Sequence, residues 1–147
     1  MELEIRRAGH AELAAVCTLA LCLWPGHERV ELEEEFAELL QKSDAALFLA
    51  SDGALPIGFA QCQLRHDYVE GTETSPVGYL EGIYVAEEAR NRGIARALLQ
   101  SCEQWAAEQG CEEFASDCEL ENTQSLQFHL NVGFEEANRI ICFTKKL

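Results

Sequence analysis

The sequence predicts an α/β fold built on a mixed sheet, and three observations predict it. Strand-like segments come first, followed by a strand–helix–strand–helix–strand alternation, which implies a parallel pair among the later strands. The 147 residues are 48% hydrophobic, enough for a real core, and at this length folding buries roughly two-thirds of the chain's surface. No Pro/Ser-rich linker, low-complexity tract or internal repeat divides them, so residues 1–147 are expected to form a single domain.

Leu3 and Ile5 alternate with charges and predict a first strand. Leu13, Val16, Cys17, Ala20 and Leu21 recur at helical spacing up to Trp24-Pro25-Gly26, where Pro and Gly punctuate the chain. Leu32, Phe36, Leu39 and Leu40 give a second amphipathic helix. Its other face carries Glu31, Glu33, Glu34, Glu35 and Glu38, a solvated face or the border of a cleft. Segments 46–50 and 57–64 flank Asp52-Gly53, a turn signal that predicts a hairpin. A polar stretch at 70–78 leads into a strand at 79–85. A long helix follows over 93–108, with Ile94, Ala97, Leu98 and Trp105 inward. Residues 114–118 read as a short buried strand, and 123–131 as a helix with Asn122 as its N-cap. Residues 140–144 supply a last strand.

With 26 Asp+Glu against 11 Lys+Arg, the formal charge is -15. Such acidity repels nucleic acid and anionic membranes, so neither is an expected partner; it attracts cations or serves solubility. No apolar run approaches the ~20 residues needed to cross a bilayer. The first ten residues carry Glu2, Glu4, Arg6 and Arg7, so no export leader is expected. None of the seven cysteines forms a CxxC pair. Free thiols in a reducing cytoplasm are expected rather than disulfides, and no metal site is expected.

The most informative stretch is Leu80-Glu81-Gly82-Ile83-Tyr84-Val85 followed by Arg90-Asn91-Arg92-Gly93-Ile94-Ala95. It predicts a strand, a loop and a glycine at the mouth of a helix. Without a Cβ, Gly93 lets a bulky anion approach the backbone. The first turn of the helix offers free N–H groups and the positive end of a dipole. Arg90, Arg92 and Arg96 are three of only 11 cationic side chains, and their concentration there points to a diphosphate. An ordinary strand-to-helix turn with solvated arginines is the plainer alternative.

The pattern Arg90-x-x-Gly93-x-Ala95 after a strand, with Asn122 and Gly133-Phe134 later, resembles the GNAT superfamily of N-acetyltransferases. Leu23-Trp24-Pro25-Gly26-His27, Arg65-His66-Asp67-Tyr68-Val69, Glu73-Thr74-Ser75-Pro76-Val77 and Phe114-Ala115-Ser116-Asp117 resemble, more closely, the short bacterial aminoglycoside 6'-N-acetyltransferases, as does the terminal Phe143-Thr144-Lys145-Lys146. The resemblance spans nearly the whole chain. It implies a mixed, mostly antiparallel sheet with a splayed parallel strand pair, flanked by helices. It further implies a homodimer, acetyl-CoA as co-substrate, and a cationic aminoglycoside as acceptor, hence antibiotic resistance; a polyamine, small metabolite or protein amine is the alternative acceptor.

By that resemblance the main chain of Ile83, Tyr84 and Val85 holds the pantetheine arm, and one N–H there polarises the thioester. Asn91, Arg92, Gly93, Ile94, Ala95 and Arg96 hold the diphosphate, and Asn122 reaches the pantetheine portion. Glu81 and Asp117 match positions that contact the amino sugar, and Trp24, His27, Tyr68 and Asn138 match further substrate positions. On the residues alone, either carboxylate could be surface-exposed or paired with an arginine, Trp24 reads as core and His27 as loop. A carboxylate of reference pKa ~4.3 taking a proton from an amine of pKa ~8–10 faces about 5–8 kcal/mol. Glu81 is therefore expected to bind the ammonium and relay its proton through water rather than abstract it directly. His129 falls where many superfamily members place a tyrosine general acid, so coenzyme A is not expected to be protonated by tyrosine; either His129 or water serves as the acid, or His129 is a packing residue. Asn138 stands where related enzymes often carry a glutamate, which removes one charge from the cation site.

Overall fold

The computed structural model describes residues 1–147. Five strands lie in one sheet in chain order: β1 (Leu3–Arg7), β2 (Ala45–Asp52), β3 (Leu55–Arg65), β4 (Val77–Val85) and β5 (Phe114–Ala115). The first four pair antiparallel, and β5 runs parallel to β4.

Helices cover both faces because the central strands are apolar on both sides. In β2, Ala45, Leu47 and Leu49 pack with α1 (Leu13–Leu23) and α2 (Arg29–Leu40), through Val16, Leu32 and Phe36. The alternate residues Ala46, Phe48 and Ala50 pack with α3 (Ile94–Glu108), through Leu98, Cys102 and Trp105. That is why β2 reads as a continuous hydrophobic run rather than an alternating one. The last helix, α4 (Thr123–Asn131), sends Phe128 onto the α3 side. Asn122 caps it as expected, its Oδ1 accepting the Ser125 N–H at 3.0 Å.

Two expected strands differ. The segment 114–118 pairs with β4 only at Gly78↔Phe114 and Tyr79↔Ala115, while β4 continues to Val85. The two strands part there because Ser116 and Asp117 turn their polar side chains to His129 and Tyr79 instead of prolonging the ladder. The second difference concerns 140–144, which forms no strand with any part of the chain. Ile140, Ile141 and Phe143 are exposed there. Residue pattern reports a preference for strand pairing, and within this chain no edge receives the segment.

Candidate active site

The acceptor end of the site begins with an irregularity in β4. Gln61 of β3 faces Gly82 and Cys62 faces Leu80, so Glu81 is the extra residue of a β-bulge. A bulge interrupts the alternation of side chains and re-aims one of them. Glu81 and Gly82 consequently both address the α1–α2 side, where Glu81 lines a cleft and Gly82 lies under the Trp24 indole. A Cβ on Gly82 would stand 2.6 Å from Trp24 Cη2. Gly82→Ala is therefore expected to push the indole out and raise KM for the acceptor several-fold, with little change in KM for acetyl-CoA; steady-state kinetics with each substrate varied in turn checks this.

The cleft encloses about 200 Å³ between Trp24, His27, Glu35, Gln61 and Glu81, floored by Leu32 and Phe36. Trp24 caps α1 and meets Phe59 edge-on at 6.1 Å, while His27 follows through the Pro25-Gly26 turn with its ring 6.2 Å from the indole. Of the acidic face of α2 only Glu35 lines the cleft; Glu31, Glu33, Glu34 and Glu38 line none of it, so most of that face is solvated.

Neither carboxylate stands free. Arg65, at the end of β3, donates from Nε to Glu81 Oε2 at 3.0 Å and from Nη2 to Oε1 at 2.8 Å. The guanidinium carbon lies 3.4 Å above the centre of the Tyr79 ring, and the Tyr79 hydroxyl donates to Asp117 Oδ2. The hydrogen bond to Glu81 outweighs burial and raises the Arg65 pKa, so the guanidinium stays charged. Burial and the bond to Asp117 push the Tyr79 phenol far up, so it remains a neutral donor. The arginine-paired alternative thus describes Glu81 in this structure, and only the lone pairs that Arg65 leaves are open to another donor.

Of the expected acceptor residues, the cleft gathers Trp24, His27 and Glu81, and Asp117 joins through Tyr79 and Arg65. Tyr68 is 76% exposed and lines no part of the cleft. Asn138 is also outside it, its Nδ2 donating to Glu70 Oε1 at 2.7 Å. Sequence reasoning assigned no role to Arg65, Tyr79 or Gln61. Gln61 left a signal, being a polar residue inside the buried run of β3. Arg65 and Tyr79 left none, because their partnership depends on register.

At the other end, Gly93 caps α3 with φ 77°, a left-handed conformation that suits glycine, and a Cβ there would meet open space. Asn91 is also left-handed, at φ 65°. The N–H groups of Ile94, Ala95 and Arg96 donate to no group of the chain. The Ile94 side chain is core, so only its N–H is available to a ligand. The arginine cluster is thinner than expected: Arg90 Nε donates to the Val85 carbonyl and Arg96 Nη2 to the Asn131 carbonyl, each at 2.9 Å. Arg92 is exposed and free of such bonds. Ile83, Tyr84 and Val85 pair with Ala60, Phe59 and Gly58 of β3, and beyond Tyr79 no strand occupies their other side. That leaves an open strand edge able to receive an extended ligand.

His129 Nδ1 lies 2.7 Å from the Ser125 carbonyl and so donates to it. Nε2 lies 2.8 Å from Ser116 Oγ. No group of three or more His, Cys, Asp or Glu could hold a metal ion, and no helix is long and apolar enough to cross a membrane.

The open edge of β4, the N–H groups at Gly93 and the acidic cleft suit a nucleotide thioester and a cationic amine. The model of the Acetyltransferase (GNAT) family matches residues 13–134. The chain belongs to this family. Among GNAT proteins it is 43% identical over 145 residues to the aminoglycoside N(6')-acetyltransferase type 1 of Stenotrophomonas maltophilia, covering 97% of this chain and 93% of that one. It is 40% identical over 144 residues to the enzyme of the same name from Salmonella typhimurium, covering 98% and 99%. The structure of AAC(6')-Iy in complex with the bisubstrate analog CoA-S-monomethyl-acetylneamine superposes with a TM-score of 0.97 at 39% identity, over 100% of both chains. AAC(6')-Ih from Acinetobacter baumannii superposes with a TM-score of 0.93 at 38% identity, over 99% of both. The GNAT fold expected from sequence, with its parallel β4–β5 pair and flanking helices, is the one observed.

Proposed function

We propose that this GNAT protein transfers the acetyl group of acetyl-CoA to the 6'-amino group of aminoglycosides by direct attack in a ternary complex, residues 1–147 working as one N-acetyltransferase domain. The observation that carries the reading is the full-length match, TM-score 0.97, to AAC(6')-Iy in complex with its bisubstrate analog. The pantetheine arm adds to the open edge of β4 at Ile83, Tyr84 and Val85, where one N–H polarises the thioester oxygen. The N–H groups from Asn91 to Arg96, with the side chain of Arg92, hold the diphosphate, and Asn122 turns its free amide nitrogen to the pantetheine. Glu81 and Asp117 bind the ammonium and pass its proton to water. Trp24 and His27 flank the sugar, and Tyr68 and Asn138, which line no part of the cleft, are further contacts of the bound substrate. The neutral nitrogen then attacks the thioester carbon, the C–N bond forms as the C–S bond breaks, the nitrogen gives up its second proton to water, and the departing sulfur takes up a proton, leaving an amide and the CoA thiol.

The test is release of CoA thiol with kanamycin or tobramycin, and an added acetyl group at the 6' nitrogen. Turnover of a polyamine alone would move the acceptor to another amine, and acetyl-CoA binding without turnover would make the chain a binding module. Because the cleft carries Glu35 and Glu81, KM for the drug is expected to rise several-fold between low and high salt, as the Debye length shrinks from roughly 10 Å at 0.1 M to 3 Å at 1 M. A salt-independent KM would leave the surface charge as a solubility device.

We also propose a homodimer in the cytoplasm. All seven cysteines are unpaired, which suits a reducing compartment. The exposed Ile140, Ile141 and Phe143, together with the unpaired outer edge of β5, supply an apolar segment and an edge that a second copy can satisfy. Light scattering is expected to give twice the 16.4 kDa chain mass, and the paired change Ile141→Asp with Phe143→Asp to halve it.

A further inference from the structure

The pairing of Glu81 raises a question about the acceptor site: a carboxylate meant for a substrate cation is already gripped by a cation of the chain. Arg65 uses a planar fork, with one N–H to each oxygen of Glu81 at 2.8 and 3.0 Å. Each carboxylate oxygen accepts at two positions, so the fork occupies one on each and leaves the others. The Glu81 side chain is only 17% exposed, and it lines the cleft. The Arg65 side chain is 39% exposed and lines none of it. It rests 3.4 Å above the Tyr79 ring, itself buried and bonded to Asp117. Three side chains from neighbouring strands, with Asp117 just past β5, thus form one line: Glu81, Arg65, Tyr79, Asp117.

We infer that Arg65 is a positioning residue for the acceptor amine, its fork on Glu81 and its stacking on Tyr79 fixing the carboxylate so that its remaining lone pairs face the cleft. The inference rests on the acceptor reading of Glu81 above. The bulge explains why such a brace is useful: an extra residue on a strand lacks the ladder partner that would otherwise hold its direction. A lysine would restore the charge but neither the fork nor the planar stacking. Arg65 also offsets the charge of Glu81, so removing it makes the cleft more attractive to a cation while leaving the carboxylate free to swing. The signature of such a role is a loss in kcat without a rise in KM.

The test compares Arg65→Lys, Arg65→Met, Glu81→Gln and the Arg65→Met/Glu81→Gln double variant, with kanamycin as acceptor. Both Arg65 variants are expected to lose about tenfold or more in kcat, with KM for kanamycin unchanged or lowered in Arg65→Met. The double variant is expected to be no slower than Glu81→Gln alone, because the arginine acts through that carboxylate. Binding of acetyl-CoA and the melting temperature, measured on the same proteins, show that each variant is folded. If Arg65→Met does not fold, Arg65→Lys and its double with Glu81→Gln complete the cycle. A kcat for Arg65→Lys within about twofold of wild type, losses that multiply in the double variant, or a raised KM with kcat untouched would each overturn the inference. Wild-type protein that acetylates spermidine and not kanamycin would end the aminoglycoside reading instead, and the same cycle is then run with spermidine.

Discussion

Glu81→Gln is expected to lower kcat/KM for the aminoglycoside by about a hundredfold, with kcat reduced and KM raised. A hydrogen bond to a charged partner contributes about 1.5–3 kcal/mol, and a hundredfold corresponds to about 2.7 kcal/mol. The amide keeps the shape of the side chain but removes the charge that binds the substrate ammonium. It also turns an N–H₂ toward one arm of the Arg65 fork, so that donor faces donor where Oε1 and Oε2 now accept. The stability cost is expected to be small, because Arg65 is 39% exposed and water can take up its unpaired N–H. Kinetics and a melting curve on the same preparation separate the two effects. The same measurements on Asp117→Asn probe the far end of the line, where the Tyr79 hydroxyl still finds an acceptor in the amide oxygen. Unchanged kinetics in both variants would remove these carboxylates from the acceptor site.

The second large effect is expected at Gly93. Gly93→Asp should weaken acetyl-CoA binding by tenfold or more, whereas Gly93→Ala should weaken it much less. Both variants place a side chain on a residue at φ 77°, and an L-residue there costs about 1–2 kcal/mol. Aspartate tolerates this conformation better than most residues, so backbone strain alone predicts that Gly93→Asp is the milder change. Charge predicts the reverse order. The added carboxylate would stand in the open space before the free N–H groups of Ile94, Ala95 and Arg96, where the diphosphate is proposed to bind. Isothermal titration with acetyl-CoA decides between the two orders. Equal affinities in the two variants would mean that the nucleotide's phosphates lie elsewhere.

The helices and the hairpin were legible because their determinants are local. The period of Leu13, Val16, Cys17 and Ala20 places α1, Asp52-Gly53 places the turn between β2 and β3, and the amide oxygen of Asn122 starts α4 three residues ahead of its partner. Gly93 was legible for the same reason, since a strand, a loop and a helix mouth are consecutive in the chain. The candidate acceptor site was legible only as a set of residue types brought in by family resemblance. That resemblance named Glu81 and Asp117, but it did not say what holds them.

What the sequence by itself determined is the order of elements through α4, the acidic surface and the position of the glycine turn at the mouth of α3. Only the tertiary structure decided that Glu81 sits on a bulge, that Arg65 and Tyr79 tie the two carboxylates together, that β5 stops at Ala115, and that residues 140–144 find no partner within the chain. The physical reason is distance along the chain. Arg65 meets Glu81 across 16 residues and Tyr79 meets Asp117 across 38, and such contacts follow from strand register and from where two strands diverge. No local periodicity carries that information, because a shift of one residue in register leaves every local pattern intact and exchanges the faces on which all the side chains stand.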